Sequence, residues 1–99
     1  MKSVRVLLTR HSLGRLRERF LREKGPEEIL RLLNSRMGRA WLAPYLRSPG
    51  RYQLWYEGSD LLFLLQPEGE GLFRALTFMH VLRPPRQGEE VLVSYALAE

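Results

Sequence analysis

The sequence predicts an α+β domain: an N-terminal strand and two helices, then a mainly antiparallel sheet of about four strands. Three observations carry that prediction. After a short alternating segment, apolar residues in the first third of the chain recur every three or four positions, the spacing of one helix face. From residue 51 onward the period changes to two, with Gly, Pro, Ser and Asp between the runs. The length of 99 residues suits a single domain, 1–99, with one core and no room for a second. Helices segregated from an antiparallel sheet along the chain define the α+β class.

Residues 3–8 read as the first strand, because Val4, Val6 and Leu8 alternate with their neighbours. Thr9 or Ser12 can cap the helix that follows, since either hydroxyl can accept from a free backbone N–H. That helix spans about 12–24 and stops at Gly25. Leu13, Leu16 and Phe20 form its apolar stripe and Leu21 widens it. Pro26 suits the first position of the second helix, where a missing N–H costs nothing. Glu27 and Glu28 follow, favoured there by the helix dipole. Ile29, Leu30, Leu32, Leu33 and Met37 supply its buried side and Gly38 ends it. Residues 39–46 read as a short helical turn carrying Trp41 and Leu42, limited by Pro44.

Ser48-Pro49-Gly50 breaks the chain. Residues 51–57 then alternate, with Tyr52, Leu54 and Tyr56 on one face and Gln53 and Trp55 on the other. Gly58-Ser59-Asp60 reads as a hairpin turn, and 61–66 as a nearly all-apolar central strand. Residues 67–71 make the next turn, 72–79 the next strand, 83–88 a loop, and 91–97 the last strand. No repeat, low-complexity tract or dividing linker interrupts this order.

Composition excludes several kinds of chemistry. There is no cysteine, so disulfides, thiolate nucleophiles and cysteine-bound zinc are ruled out. His11 and His80 are the only histidines, and no carboxylate–histidine spacing makes a metal site, so neither metal nor cofactor is expected. Gly69-x-Gly71 lacks the lysine and following helix of a phosphate loop. No Gly-x-Ser-x-Gly elbow occurs, and Ser12 beside His11 has no acidic partner for a triad. No apolar run approaches the roughly 20 residues of a membrane helix, and the first residues do not form a signal peptide. A cytoplasmic protein with no membrane role is the expectation.

The charge points outward to a partner. The net charge is +5, and Lys2 and Lys24 are the only lysines among 16 basic residues, the rest being arginine. Arginine's planar fork matches phosphate oxygens in pairs. A polyanion is the natural partner, RNA more than DNA. A GC-rich or heat-adapted genome would also enrich arginine, and a single asparagine, Asn34, and a single aspartate, Asp60, fit a thermophile-like composition.

The first helix gathers this charge. His11, Arg15, Arg19 and Arg22 are spaced by four, four and three, which puts them in one row opposite the apolar stripe. Such a row is either a phosphate-binding face or a solvated surface paired with Glu18, Glu23, Glu27 or Glu28. His11 and His80 could act as base and acid without a metal if they share a cleft, since imidazole titrates near neutrality. Tyr95 is a third proton-transfer or base-stacking candidate, and Arg74 a further phosphate-binding one. Aromatic residues concentrate in the sheet. They are core, or, where exposed beside arginines, platforms for unpaired bases.

Residues 9–34, TRHSLGRLRERFLREKGPEEILRLLN, resemble a widespread family of small bacterial proteins whose first helix opens with His-x-x-x-Arg-x-x-x-Arg. Here the matching residues are His11, Arg15 and Arg19, with Glu27 and Glu28 opening the next helix. That family is similar in turn to RelE-type toxins and barnase-like ribonucleases. The resemblance implies a helices-then-sheet fold and an RNA substrate. It also implies working groups on the last strands, where this chain has Arg74 and Tyr95, with Arg83 and Arg86 in the loop between. Two functions follow as expectations. One is a metal-independent endoribonuclease in which His11, His80 and Tyr95 move protons while Arg15, Arg19, Arg22 and Arg74 hold phosphate. The other is a non-catalytic module, either binding nucleic acid or forming a homodimer through its aromatic sheet. An antitoxin-like acidic protein docked on the basic face is a third partner class.

Overall fold

The computed structural model describes residues 1–20, 22–36, 39–57, 60–80 and 88–98. The roles assigned to Leu21, Met37, Gly38, Gly58, Ser59, Arg83 and Arg86 lie outside these residues, as does the side chain of Phe20. The elements are β1 (Lys2–Leu8), α1 (Arg10–Phe20), α2 (Pro26–Arg36), β2 (Ala40–Pro44), β3 (Tyr52–Tyr56), β4 (Leu61–Gly69), β5 (Leu72–His80) and β6 (Glu89–Leu97). The α+β order of strand, two helices and strands is therefore present. Among the described residues no helix is long and apolar enough to cross a membrane.

The sheet is not an open four-stranded meander. It closes into a six-stranded barrel in the order β1-β5-β4-β3-β2-β6. β1 lies between β5 and β6 and runs parallel to both, while the other four pairings are antiparallel. Parallel neighbours cannot be joined by a tight turn. The two helices after β1 carry the chain across so that later strands can flank it.

Residues 39–46 are corrected from a helical turn to a strand and hairpin. β2 pairs with β3 from Ala40↔Tyr56 to Pro44↔Tyr52. The hairpin is closed by the Tyr45 N–H donating to the Arg51 carbonyl at 2.8 Å, and Gly50 takes a φ of 83°, which only glycine adopts freely. A five-residue strand is too short to display its period, and Pro44 is tolerated because it ends the strand. β4 also runs beyond the expected limit, through Pro67 to Gly69, with register shifts at Leu64/Leu65 and Pro67/Gly69. Such bulges bend a strand, as closure into a small barrel demands.

One core fills the barrel. Val4, Val6 and Leu8 of β1 meet Leu54, Phe63, Leu65 and Phe78, while Leu13 and Leu16 of α1 and Ile29 and Leu33 of α2 join the same cluster. Phe63 is central, edge-on to Phe78 at 4.8 Å between ring centroids and near both Tyr56 and Tyr95. The outer face of β3 and β4 is buried too: Trp55, Leu62 and Leu64 are each at most 9% exposed. A carbon added at Gly88 would stand 2.6 Å from Trp55 Cη2, so the chain there lies directly on the indole. Among the described residues no aromatic side chain is exposed. Trp41, Tyr45 and Tyr52 are half-buried, and the other described aromatic side chains are buried within the one chain.

Candidate nucleic-acid interface

α1 is placed by a reciprocal cap. The Ser12 N–H donates to Thr9 Oγ1 at 3.0 Å, and the Thr9 N–H donates to Ser12 Oγ at 2.9 Å. This is a capping box with serine in the position more often held by Glu or Gln. It makes Thr9 the cap and starts the helix at Arg10. Leu13 and Leu16 turn inward against the barrel, which leaves the opposite arc of the helix in water.

That arc is strongly basic. Arg10, His11, Arg15, Arg17 and Arg19 are all exposed, as is Arg22, which lies in a turn beyond the end of α1 at Phe20 and not in a helix reaching residue 24. Arg15 Nε donates to His11 Nε2 at 3.0 Å, Arg19 Nη1 to the Phe78 carbonyl at 3.1 Å, and Arg22 Nε to the Glu18 backbone carbonyl at 2.9 Å. None of these acceptors carries a full negative charge. Glu28 is paired with Lys24 at 3.3 Å. Among the described residues no carboxylate lies within ion-pair distance of Arg10, Arg15, Arg17, Arg19 or Arg22. The glutamates that could have neutralised the row do not do so.

The contacts have chemical consequences. His11 must present an unprotonated Nε2 to accept from a guanidinium, so its proton sits on Nδ1. Arg19 spends one N–H anchoring α1 to β5 and keeps the rest of its fork for other acceptors. Gly14, in the interior of α1, opens a notch on the exposed arc. A carbon added there meets nothing within 4 Å, and its φ is not positive. Neither packing nor backbone geometry requires glycine, which costs about 0.5–1 kcal/mol against alanine in a helix.

The remaining candidates are dispersed. His80 ends β5, with Nδ1 3.3 Å from Asp60 Oδ2. The Arg19–Phe78 contact joins that end of β5 to the last turn of α1, whereas His11 stands in the first turn, eight residues or about 12 Å away along the axis. The recess beside His11 is lined by Arg10, Gly14, Arg15, Glu18 and Arg19, and His80 is not part of it. Tyr95 lies inside the barrel, 6% exposed, with its hydroxyl bonded to that of Tyr56. Burial first, then the adjacent Tyr56, raises the Tyr95 phenol well above its ordinary range. Tyr95 is thus enclosed in the barrel and does not share the exposed arc of α1. Arg74 points outward from β5 and is paired with Glu68 at 2.8 Å.

The sequence pattern picks out His11, Arg15, Arg19 and Arg22 but passes over Arg10, Arg17 and Gly14. Arg10 and Arg17 are seven apart, two turns of helix, and a search for charges flanking the main row would have found them. No protein-family model, no curated protein and no solved structure matches this chain.

Proposed function

We propose that the protein is RNA-directed and engages the phosphodiester backbone along the exposed face of α1. One observation carries this reading: a row of exposed guanidinium groups whose nearby carboxylates leave them unpaired. Like charges at helical spacing repel one another. A polyanion removes that repulsion and releases its own counterions on binding. Arg15, Arg19 and Arg22 form the phosphate-binding row, with Arg10 and Arg17 beside it. Arg74, neutralised by Glu68, takes no part. The resemblance of residues 9–34 to small bacterial proteins, themselves similar to RelE-type toxins and barnase-like ribonucleases, is the reason for proposing RNA over DNA. The barrel closure around β1 is a feature which that outline does not by itself imply.

A second reading, metal-independent cleavage, rests on the His11–Arg15 contact. An unprotonated imidazole nitrogen touching a guanidinium juxtaposes a base for a 2′-hydroxyl with a cation for the charge that builds on phosphorus oxygens. The recess beside His11 includes the Glu18 carboxyl but neither His80 nor Tyr95, the partners expected for His11. Binding is therefore the leading reading. The test is a mixed RNA pool in EDTA with wild type, His11→Ala and Arg15→Ala. A salt-sensitive mobility shift, weakened in Arg15→Ala and without cleavage, supports binding. Cleavage lost in both variants moves the function to a ribonuclease on α1. Neither shift nor cleavage by wild type refutes the RNA reading.

A further inference from the structure

The mid-helix glycine is the feature of α1 that the fold does not explain. Gly14 is half-buried, has ordinary helical backbone, and has open space where a side chain would go. Alanine would fit without a clash and would favour the helix. Its surroundings are the opposite of neutral. At about 100° per residue, Arg10 and Arg17 fall nearly in line on one side of Gly14, and His11 and Arg15 fall on the other. Two of the recesses on α1 meet at this residue: Arg10, His11 and Arg15 line one with it, and Arg17 and Arg22 line the other. The helix surface is thus a shallow trough with cations on both banks and bare backbone at its floor. Glu18, one turn on, lines both recesses and sets a single negative charge among these cations.

Resting on the RNA reading above, we propose that the Gly14 notch is the seat of one phosphodiester group of a single RNA strand. Arg10 and Arg17 clamp it from one bank and Arg15 from the other. The missing side chain lets the sugar-phosphate lie against the helix backbone, closer than any residue with a Cβ would allow. Guanidiniums on two sides can then bond different oxygens of the same phosphate. The deep, narrow major groove of duplex RNA does not admit side chains, so the trough is expected to take one strand and not a duplex.

The experiment measures affinity for a short mixed-sequence single-stranded RNA by fluorescence anisotropy, with thermal melting of each variant alongside. Gly14→Ala is expected to raise the melting temperature and weaken binding about tenfold, with Gly14→Leu weaker still. Arg10→Ala and Arg17→Ala are each expected to reduce the slope of log K against log salt by about 0.7, one phosphate contact on a single strand. Wild-type affinity in Gly14→Ala, with binding still lost in an Arg15→Ala/Arg19→Ala double variant, overturns the notch and leaves the RNA reading standing. Tighter binding of duplex than of single-stranded RNA overturns the single-strand seat. No binding by wild type at low salt removes the RNA reading and the notch together.

Discussion

Asn34 holds the backbone of Tyr95 in both directions: its Nδ2 donates to the Tyr95 carbonyl at 3.2 Å, and the Tyr95 N–H donates to its Oδ1 at 2.8 Å. The reason lies in the barrel seam. β2 pairs with β6 only as far as Ala40↔Val91, so β6 continues past its antiparallel neighbour. A side-chain amide presents N–H donors and a carbonyl acceptor in one plane, so it can satisfy both backbone groups of a strand residue. Asn34 therefore acts as a one-residue strand presented by α2.

Replacing Asn34 with alanine removes both bonds and leaves a strand edge to water. The expected loss is about 1–2 kcal/mol, the usual net value of two partly exposed hydrogen bonds. Urea denaturation checks this through a lower midpoint at unchanged slope. Asn34→Asp keeps the acceptor, loses the donor, and should fall between wild type and alanine.

The Tyr56–Tyr95 hydroxyl pair predicts alkaline sensitivity. Burial raises both phenols above their ordinary value near 10. A raised folded-state pKa means that the unfolded chain ionises first as pH rises. Stability is thus full below about pH 10 and falls above it. Melting temperature should drop steeply over that range. Phenolate absorbance from these two residues should appear only with unfolding. A Tyr56→Phe/Tyr95→Phe variant should flatten the drop.

Gly88 predicts a steric limit. An added Cβ would sit 2.6 Å from Trp55 Cη2, 3.2 Å from its Cζ2, and 3.4 Å from the Leu42 carbonyl oxygen. The indole is itself buried, with little open space to move into. Gly88→Ala should cost about 1–3 kcal/mol, the usual range for overpacking. Near-ultraviolet circular dichroism should report a displaced tryptophan. Unchanged stability and spectrum would mean that Trp55 has room to move.

The charge on α1 predicts a particular salt response. If Arg15, Arg19 and Arg22 each meet a phosphate, removing any one should lower the salt slope by about 0.7 for single-stranded RNA. Arg39→Ala is the control. Its guanidinium is already held by both Glu90 oxygens at 2.8 Å, so RNA affinity and slope should stay near wild type.

Much of the local architecture is legible in the sequence, because local signals have local causes. The alternation of Val4, Val6 and Leu8 marks β1. The Leu13–Leu16 spacing identifies the buried side of α1, and Pro26 with Glu27 and Glu28 starts α2 where the structure does. The basic row is legible for the same reason, since a helix's period converts spacing into faces. What depends on partners far along the chain is not legible. β2 exists because it pairs with β3 and β6, and its own five residues carry no period. Closure of the sheet depends on β1 entering between β5 and β6, more than 60 residues downstream. Whether Tyr95 is surface or core, and whether His11 meets His80, follow from that closure. Periodicity tells which face of an element is apolar; only the packed barrel decides what that face meets, because register and strand order are set by contacts between segments that the chain order keeps apart.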